Sequence, residues 1–69
     1  MTNMKITVNG EEKFVKDHIS VNELIENLDL KQTKFAVDIN GEIIHRSEYD
    51  NYQIQRYDNI EIVVAVGGG

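Results

Sequence analysis

The sequence predicts a two-layer α+β fold, with one helix covering one face of a four- or five-stranded sheet. Three observations carry this. Apolar residues alternate at Met4, Ile6 and Val8 and again at Phe35, Val37 and Ile39, the period of a half-buried strand. Between them, Val21, Leu24, Ile25 and Leu28 fall at i, i+3, i+4 and i+7, one stripe of a short helix. Near the end, residues 60–66 are almost continuously apolar, as in a strand at the centre of its sheet.

Each element has a local reason. Asn9-Gly10 is a hairpin signal, so residues 11–16 around Phe14 return beside the first strand. Ser20-Val21-Asn22-Glu23 reads as a capping box. The Ser20 hydroxyl accepts from the Glu23 amide, while the Glu23 side chain reaches back to the Ser20 N–H. Residues 31–34 form a polar connection, and Asn40-Gly41 marks a second turn before a strand over 42–45. Residues 47–52 have no clear period and are expected as a turn or a short 3₁₀ piece. Asp58-Asn59 turns the chain into its last strand. A core of Ile6, Val8, Leu24, Ile25, Leu28, Phe35, Val37, Ile62 and Val64 fills the gap between helix and sheet. That arrangement sends Glu61, Val63 and Ala65 to the open face, where two apolar residues beside an acidic one form a candidate docking patch. Single exposed apolar residues are also ordinary.

Composition narrows the classes. Sixty-nine residues make one domain near the lower limit for unaided folding, and with no Cys there is neither a disulfide framework nor a thiolate metal site. Seven Lys and Arg against twelve Asp and Glu give a formal charge of -5, which argues against nucleic acid, whose affinity comes from neutralised phosphates. The longest apolar run is too short to span a bilayer, and MTNMKITVNG lacks the apolar stretch of a signal peptide. A cytoplasmic protein that contacts neither membrane nor nucleic acid is the expectation.

No enzyme motif is present. His18 and His45 are far apart and read as surface or turn residues. Tyr49, Tyr52 and Tyr57 read as packing over a core edge, and Arg46, Glu48 and Asp50 as a solvated cluster. What remains is the end of the chain, VVAVGGG. Glycine is the costliest residue to order, so three glycines are a poor way to finish a fold. A thread without Cβ atoms can instead enter a narrow site, and three extended residues reach roughly 10 Å. A free carboxylate becomes reactive only when its oxygen is made a leaving group, as in an acyl-adenylate, and an enzyme doing this must close around ATP and exclude water. The other reading of the glycines is a frayed end of a domain cut from something longer. Residues 1–66 are expected as the folded domain and 67–69 as a flexible tail.

The C-terminal half, VDINGEIIHRSEYDNYQIQRYDNIEIVVAVGGG, resembles that of the ThiS family, the small sulfur carriers of thiamine biosynthesis. The resemblance is most specific at Asn40-Gly41-Glu42, at Arg46-Ser47-Glu48-Tyr49, at Asp58-Asn59-Ile60-Glu61-Ile62-Val63 and at the glycines. It implies the ubiquitin-like β-grasp fold, a mixed sheet with the first and last strands parallel at its centre. Two positions depart from the family pattern, which commonly has Pro where His45 stands and Gly-Asp where Tyr57-Asp58 stands. Met1-Thr2-Asn3 is an extension without an evident role.

The resemblance also implies a cycle. A ThiF-like adenylating enzyme uses Mg-ATP, which the carrier itself does not bind, to form an acyl-adenylate at Gly69. Sulfur drawn from cysteine through a desulfurase displaces AMP and leaves a thiocarboxylate. A ThiG-like thiazole synthase takes that sulfur into its ring. On this reading Gly69 carries the reacting carbon, Gly68 and Gly67 are the thread, and Val66 anchors its base. Val63 and Ala65 present the docking face, with Arg46 at its margin as a charge contact. The chain is then a co-substrate and not an enzyme, and it needs no Cys because sulfur rides on the backbone terminus. Alternatives remain within the same fold: the small subunit of molybdopterin synthase, a ubiquitin-related modifier, or an interaction module with an inert tail. The molybdopterin subunit tends to be longer and to carry prolines before its glycines. Pro is absent here.

Overall fold

Local signals build two hairpins and a capped helix, and the last strand joins them. The computed structural model describes residues 3–30 and 34–64. A hairpin of β1 (Asn3–Val8) and β2 (Glu11–Lys16) leads through α1 (Val21–Leu28) to a second hairpin, β3 (Phe35–Ile39) and β4 (Glu42–Ile44). A 3₁₀ turn at Arg46–Glu48 precedes β5 (Asn59–Val64). The five strands lie in the order β2-β1-β5-β3-β4, so the most apolar strand is central. β5 runs parallel to β1 and antiparallel to β3, which makes the sheet mixed. The expected fold class is the one observed. Expectations for residues 1–2, 31–33 and 65–69 lie outside the described residues. Among the described residues no helix is long and apolar enough to cross a membrane.

The helix start is closed by hydrogen bonds of three kinds. The first amides of any helix lack intrahelical partners. Here Val21 N–H donates to the Tyr52 carbonyl and Asn22 N–H to the Tyr49 carbonyl, each at 3.0 Å. Glu23 N–H donates to Ser20 Oγ at 3.1 Å, and Ser20 N–H donates back to Glu23 Oε1 at 3.0 Å, the expected capping box. Two of these partners come from the segment after the 3₁₀ turn. The helix start therefore holds residues 49–52 against the sheet's core face, reinforced by Ile54 N–H donating to the Ile19 carbonyl. At the other end Asp29 takes the left-handed conformation, φ 54°, and stops the helix.

Both Asn-Gly turns do more than reverse the chain. Asn9 and Gly10 have φ of 51° and 84°, and Asn40 and Gly41 have 55° and 89°, the two positive values of the tightest hairpin turn. The Asn side chains then reach across to β5. Asn9 Oδ1 accepts from Ile62 N–H at 2.8 Å. Asn40 Oδ1 accepts from Asn59 N–H, and Asn40 Nδ2 donates to the buried Asp58 carboxylate, both at 2.9 Å. Asp58 also accepts from Gln55 N–H at 2.9 Å, so its burial leaves neither oxygen without a donor.

The core differs from the expected set at its edges. Ile6, Val8, Leu24, Val37 and Ile62 are buried as expected, while Ile25, Leu28 and Phe35 are only half-covered. Val64 is also half-exposed. Met4, Ile19, Val21, Ile39, Ile44, Tyr49, Ile54 and Ile60 complete the interior. Ile19 and Ile54 were not predictable from period, because they lie in irregular chain that the helix start pulls inward. Of the three tyrosines, Tyr49 is buried and Tyr52 half-buried, but Tyr57 is 70% exposed. Its packing over a core edge is not observed, because it sits at a turn with φ 69°, its N–H donating to the Lys5 carbonyl and its ring outside. That left-handed position is where the family pattern commonly has Gly, and a side chain there costs roughly 1–2 kcal/mol. His45, where the pattern commonly has Pro, has φ -74°, a value proline adopts without strain.

These contacts give two expectations. Asn9→Gly keeps the turn but removes the contact with Ile62, and should lower stability by roughly 0.5–1.5 kcal/mol. Asn40→Gly, which also strips a donor from buried Asp58, should cost more, roughly 1–3 kcal/mol. Urea midpoints measure both; wild-type midpoints for the pair would show that the side chains carry nothing. The second concerns Glu23, whose carboxyl is held below the usual range first by the Ser20 N–H and then by Lys16. A lowered folded pKa contributes stability above the ordinary Glu value, lost as pH falls through the folded value. Glu23→Gln should therefore flatten the acid limb of a stability profile as pH falls into and below the ordinary Glu range. An unchanged slope would contradict this.

Candidate docking site beside the last strand

The open face of the sheet is built by alternation. In β5 the side chains of Ile60, Ile62 and Val64 turn toward the helix, so Asn59, Glu61 and Val63 turn away. Register with β3 sets Ala36 opposite Val63 and Asp38 opposite Glu61. Register with β4 sets Ile43 opposite Asp38. Val63 is 62% exposed and Ile43 58% exposed, and Ala36 is also exposed. The result is an apolar surface of Ala36, Val63 and Ile43 interrupted by two facing carboxylates. Like charges opposite one another on a sheet are destabilising, so this pair opposes the fold rather than supporting it. Asp38 is steadied by accepting from Gly41 N–H at 2.8 Å.

The opposite side of the same strand end carries a cation–aromatic stack. Phe35 pairs with Val64 and its ring lies on the core side of β3. The rings of Phe35 and Tyr49 lie 6.4 Å apart and 10° from parallel. The Arg46 guanidinium sits 5.2 Å from the Phe35 centroid and 5.9 Å from that of Tyr49. This geometry is that of a cation–π contact. Nearby, burial first, and then the charges of Asp58, Glu42 and Glu48, push the Tyr52 hydroxyl pKa up, so that group stays protonated.

The sequence places Val63 correctly on the open face. Arg46 is not at the margin of that face. The 3₁₀ turn, tied to the helix start, brings it to the core side, over the ring of Phe35. The last described residues of β5 are therefore flanked by Val63 and Ala36 on one face and by Arg46, Phe35 and Tyr49 on the other. Ala65, Val66, Gly67, Gly68 and Gly69 lie outside the described residues. Sequence reasoning missed Ala36 and Ile43 as neighbours of Val63. Alternation through Phe35-Ala36-Val37 could have found Ala36, but Ile43 and Ile44 are identical in type and only the register tells them apart.

Comparison with known proteins agrees with this geometry over nearly the whole chain. The thiamine biosynthesis protein ThiS from Geobacter metallireducens has a crystal structure that superposes with a TM-score of 0.84, at 32% identity, covering 96% of this chain and 100% of that one. The thiazole synthase of Paramagnetospirillum magneticum is 36% identical over 66 residues, 96% of this chain. This chain spans only 20% of that protein's length. The ycf40 protein of Porphyra purpurea is 30% identical over 97% of this chain and 94% of its own. The model of the ThiS family matches residues 2–69, and the chain accordingly belongs to the ThiS family.

Proposed function

We propose that this protein carries sulfur for thiazole formation in thiamine biosynthesis, as a thiocarboxylate at Gly69. The observation that carries the proposal is the agreement with the ThiS family across residues 2–69, the three glycines included. The thiazole synthase of Paramagnetospirillum magneticum supports it, since a segment of that protein resembles almost all of this chain. The chemistry runs in two displacements. A carboxylate oxygen of Gly69 attacks the α-phosphate of ATP within a ThiF-like enzyme, with magnesium neutralising the pyrophosphate that leaves. Sulfide then attacks the acyl carbon and expels AMP, leaving the thiocarboxylate. A desulfurase persulfide in its place expels AMP to give an acyl disulfide. A second thiol then attacks the desulfurase-side sulfur of that S–S bond, forming a disulfide and releasing the thiocarboxylate. Both steps belong to partners in the cytoplasm, where ATP and cysteine-derived sulfur meet; this chain supplies the acyl group and the surface that presents it. Gly67 and Gly68 keep the approach narrow, with Val66 and Ala65 linking them to the sheet. Val63 then lies against the partner, and Arg46 is its charged neighbour across the strand.

The decisive experiment is intact-protein mass spectrometry after incubation with the adenylating enzyme, Mg-ATP and sulfide. The chain should gain the mass difference between sulfur and oxygen, and the terminal peptide should hold it. A gain on an internal peptide, or none, would overturn the proposal. Docking has its own test. Val63→Asp should slow charging or sulfur transfer by at least about tenfold, because a charge replaces apolar contact area worth ~25 cal/mol per Å². Its thermal midpoint should stay within a few degrees of wild type, as expected of an exposed site. Normal kinetics in this variant would move the docking surface elsewhere.

A further inference from the structure

β2 is an edge strand, and its free side has an ordered pattern. Its hairpin register pairs Val8 with Glu11 across the two-residue turn, then Ile6 with Lys13 and Met4 with Val15. Hydrogen-bonded pairs alternate in an antiparallel ladder, so Glu11, Lys13 and Val15 turn their N–H and C=O groups toward β1. Glu12, Phe14 and Lys16 turn theirs outward, toward the side on which no described strand pairs. The same three residues share the open face of the sheet, opposite Thr7, Lys5 and Asn3. Phe14 among them is 71% exposed, more than any other large apolar side chain described.

Read along the strand, that face is acid, aromatic, base, and the order is its own complement when reversed. We propose that β2 is a self-association edge, on which a second copy of this chain pairs antiparallel about a two-fold axis at Phe14. Phe14 then faces the partner's Phe14, and Glu12 faces the partner's Lys16. The residues whose backbone groups are free are the ones whose side chains match. Each apposed pair exchanges two ladder hydrogen bonds, and the aromatic pair covers the exposed rings. Pairing requires Lys16 to exchange its ion pair with Glu23 of the helix for one with the partner copy's Glu12. Lys5 reaches Glu12 at 3.3 Å and Glu23 reaches Lys16 at 3.1 Å, yet Glu12 and Lys16 keep 65% and 63% of their side-chain surface exposed. The axis lies at the far edge of the sheet from β3 and β4, so the surface around Val63 stays open in the pair.

A strip this short belongs to the weak class of interface, with a dissociation constant on the order of 0.1–1 mM. Sedimentation velocity of the full chain, from about 10 µM to about 1 mM in physiological salt, should show the average mass rising toward twice the monomer. Charge reversal makes the register testable. Glu12→Lys alone and Lys16→Glu alone place like charges opposite one another, and each should stay monomeric. An equimolar mixture of the two should associate, because each then supplies what the other lacks, and the double variant should recover self-association. Circular dichroism confirms that each variant is folded. A wild type that stays monomeric throughout would overturn the proposal and leave these charges as protection against edge pairing. So would single variants that associate like wild type, or a mixture that does not recover.

Discussion

The fold depends on keeping β5 between two hairpins that run in opposite senses relative to it. β5 is parallel to β1, which no short turn can join to it, and it is separated from its antiparallel neighbour β3 by β4 and the irregular segment after it. Its position has to be fixed by contacts that are remote in sequence. Asn9 and Asn40, each from the turn of a different hairpin, supply them by bonding to the backbone of β5 near its middle and its start. A glycine would satisfy the positive φ at either turn, but only an amide side chain also reaches the strand. One residue type thus closes each hairpin and ties it to the central strand, and Asp58 joins the second tie to the loop before β5.

The helix start plays a similar part for the irregular segment. Tyr49 and Tyr52 accept the first amides of α1, so the segment after β4 is held where the helix needs acceptors. That placement buries Tyr49 and Ile54 and lifts Arg46 over Phe35. Phe35 in turn is paired with Val64, the last described residue of β5. A hydrogen-bonding requirement at one end of a helix thereby sets the charge and aromatic surroundings of the strand from which the glycines follow.

The sheet then has surfaces with separate characters. The face around Val63, Ala36 and Ile43 combines exposed apolar area with two facing carboxylates, at some cost to stability. The β2 edge lies at the far side of the sheet and is patterned by alternating charge around one aromatic ring. Their separation allows one surface to engage a partner while the other is occupied, which suits a carrier that must pass between enzymes on the proposed reading.

The sequence by itself determined the element types, the two hairpin turns, the capping box and the ThiS resemblance, because all of these are written in neighbouring residues. Alternation along β5 was enough to put Val63 outside, since side-chain period is a local property of a strand. It could not put Arg46 in place, because that position follows from the Tyr49 and Tyr52 carbonyls meeting the helix amides, a contact made only when distant segments pack. Nor could period show that Ile19 and Ile54 are core residues, for they lie in irregular chain with no face of their own. Asn9 and Asn40 were legible as turn formers, while their grip on β5 was not. Backbone preference is set within a few residues, but the partner of a side-chain amide 53 positions away is chosen by the assembled sheet.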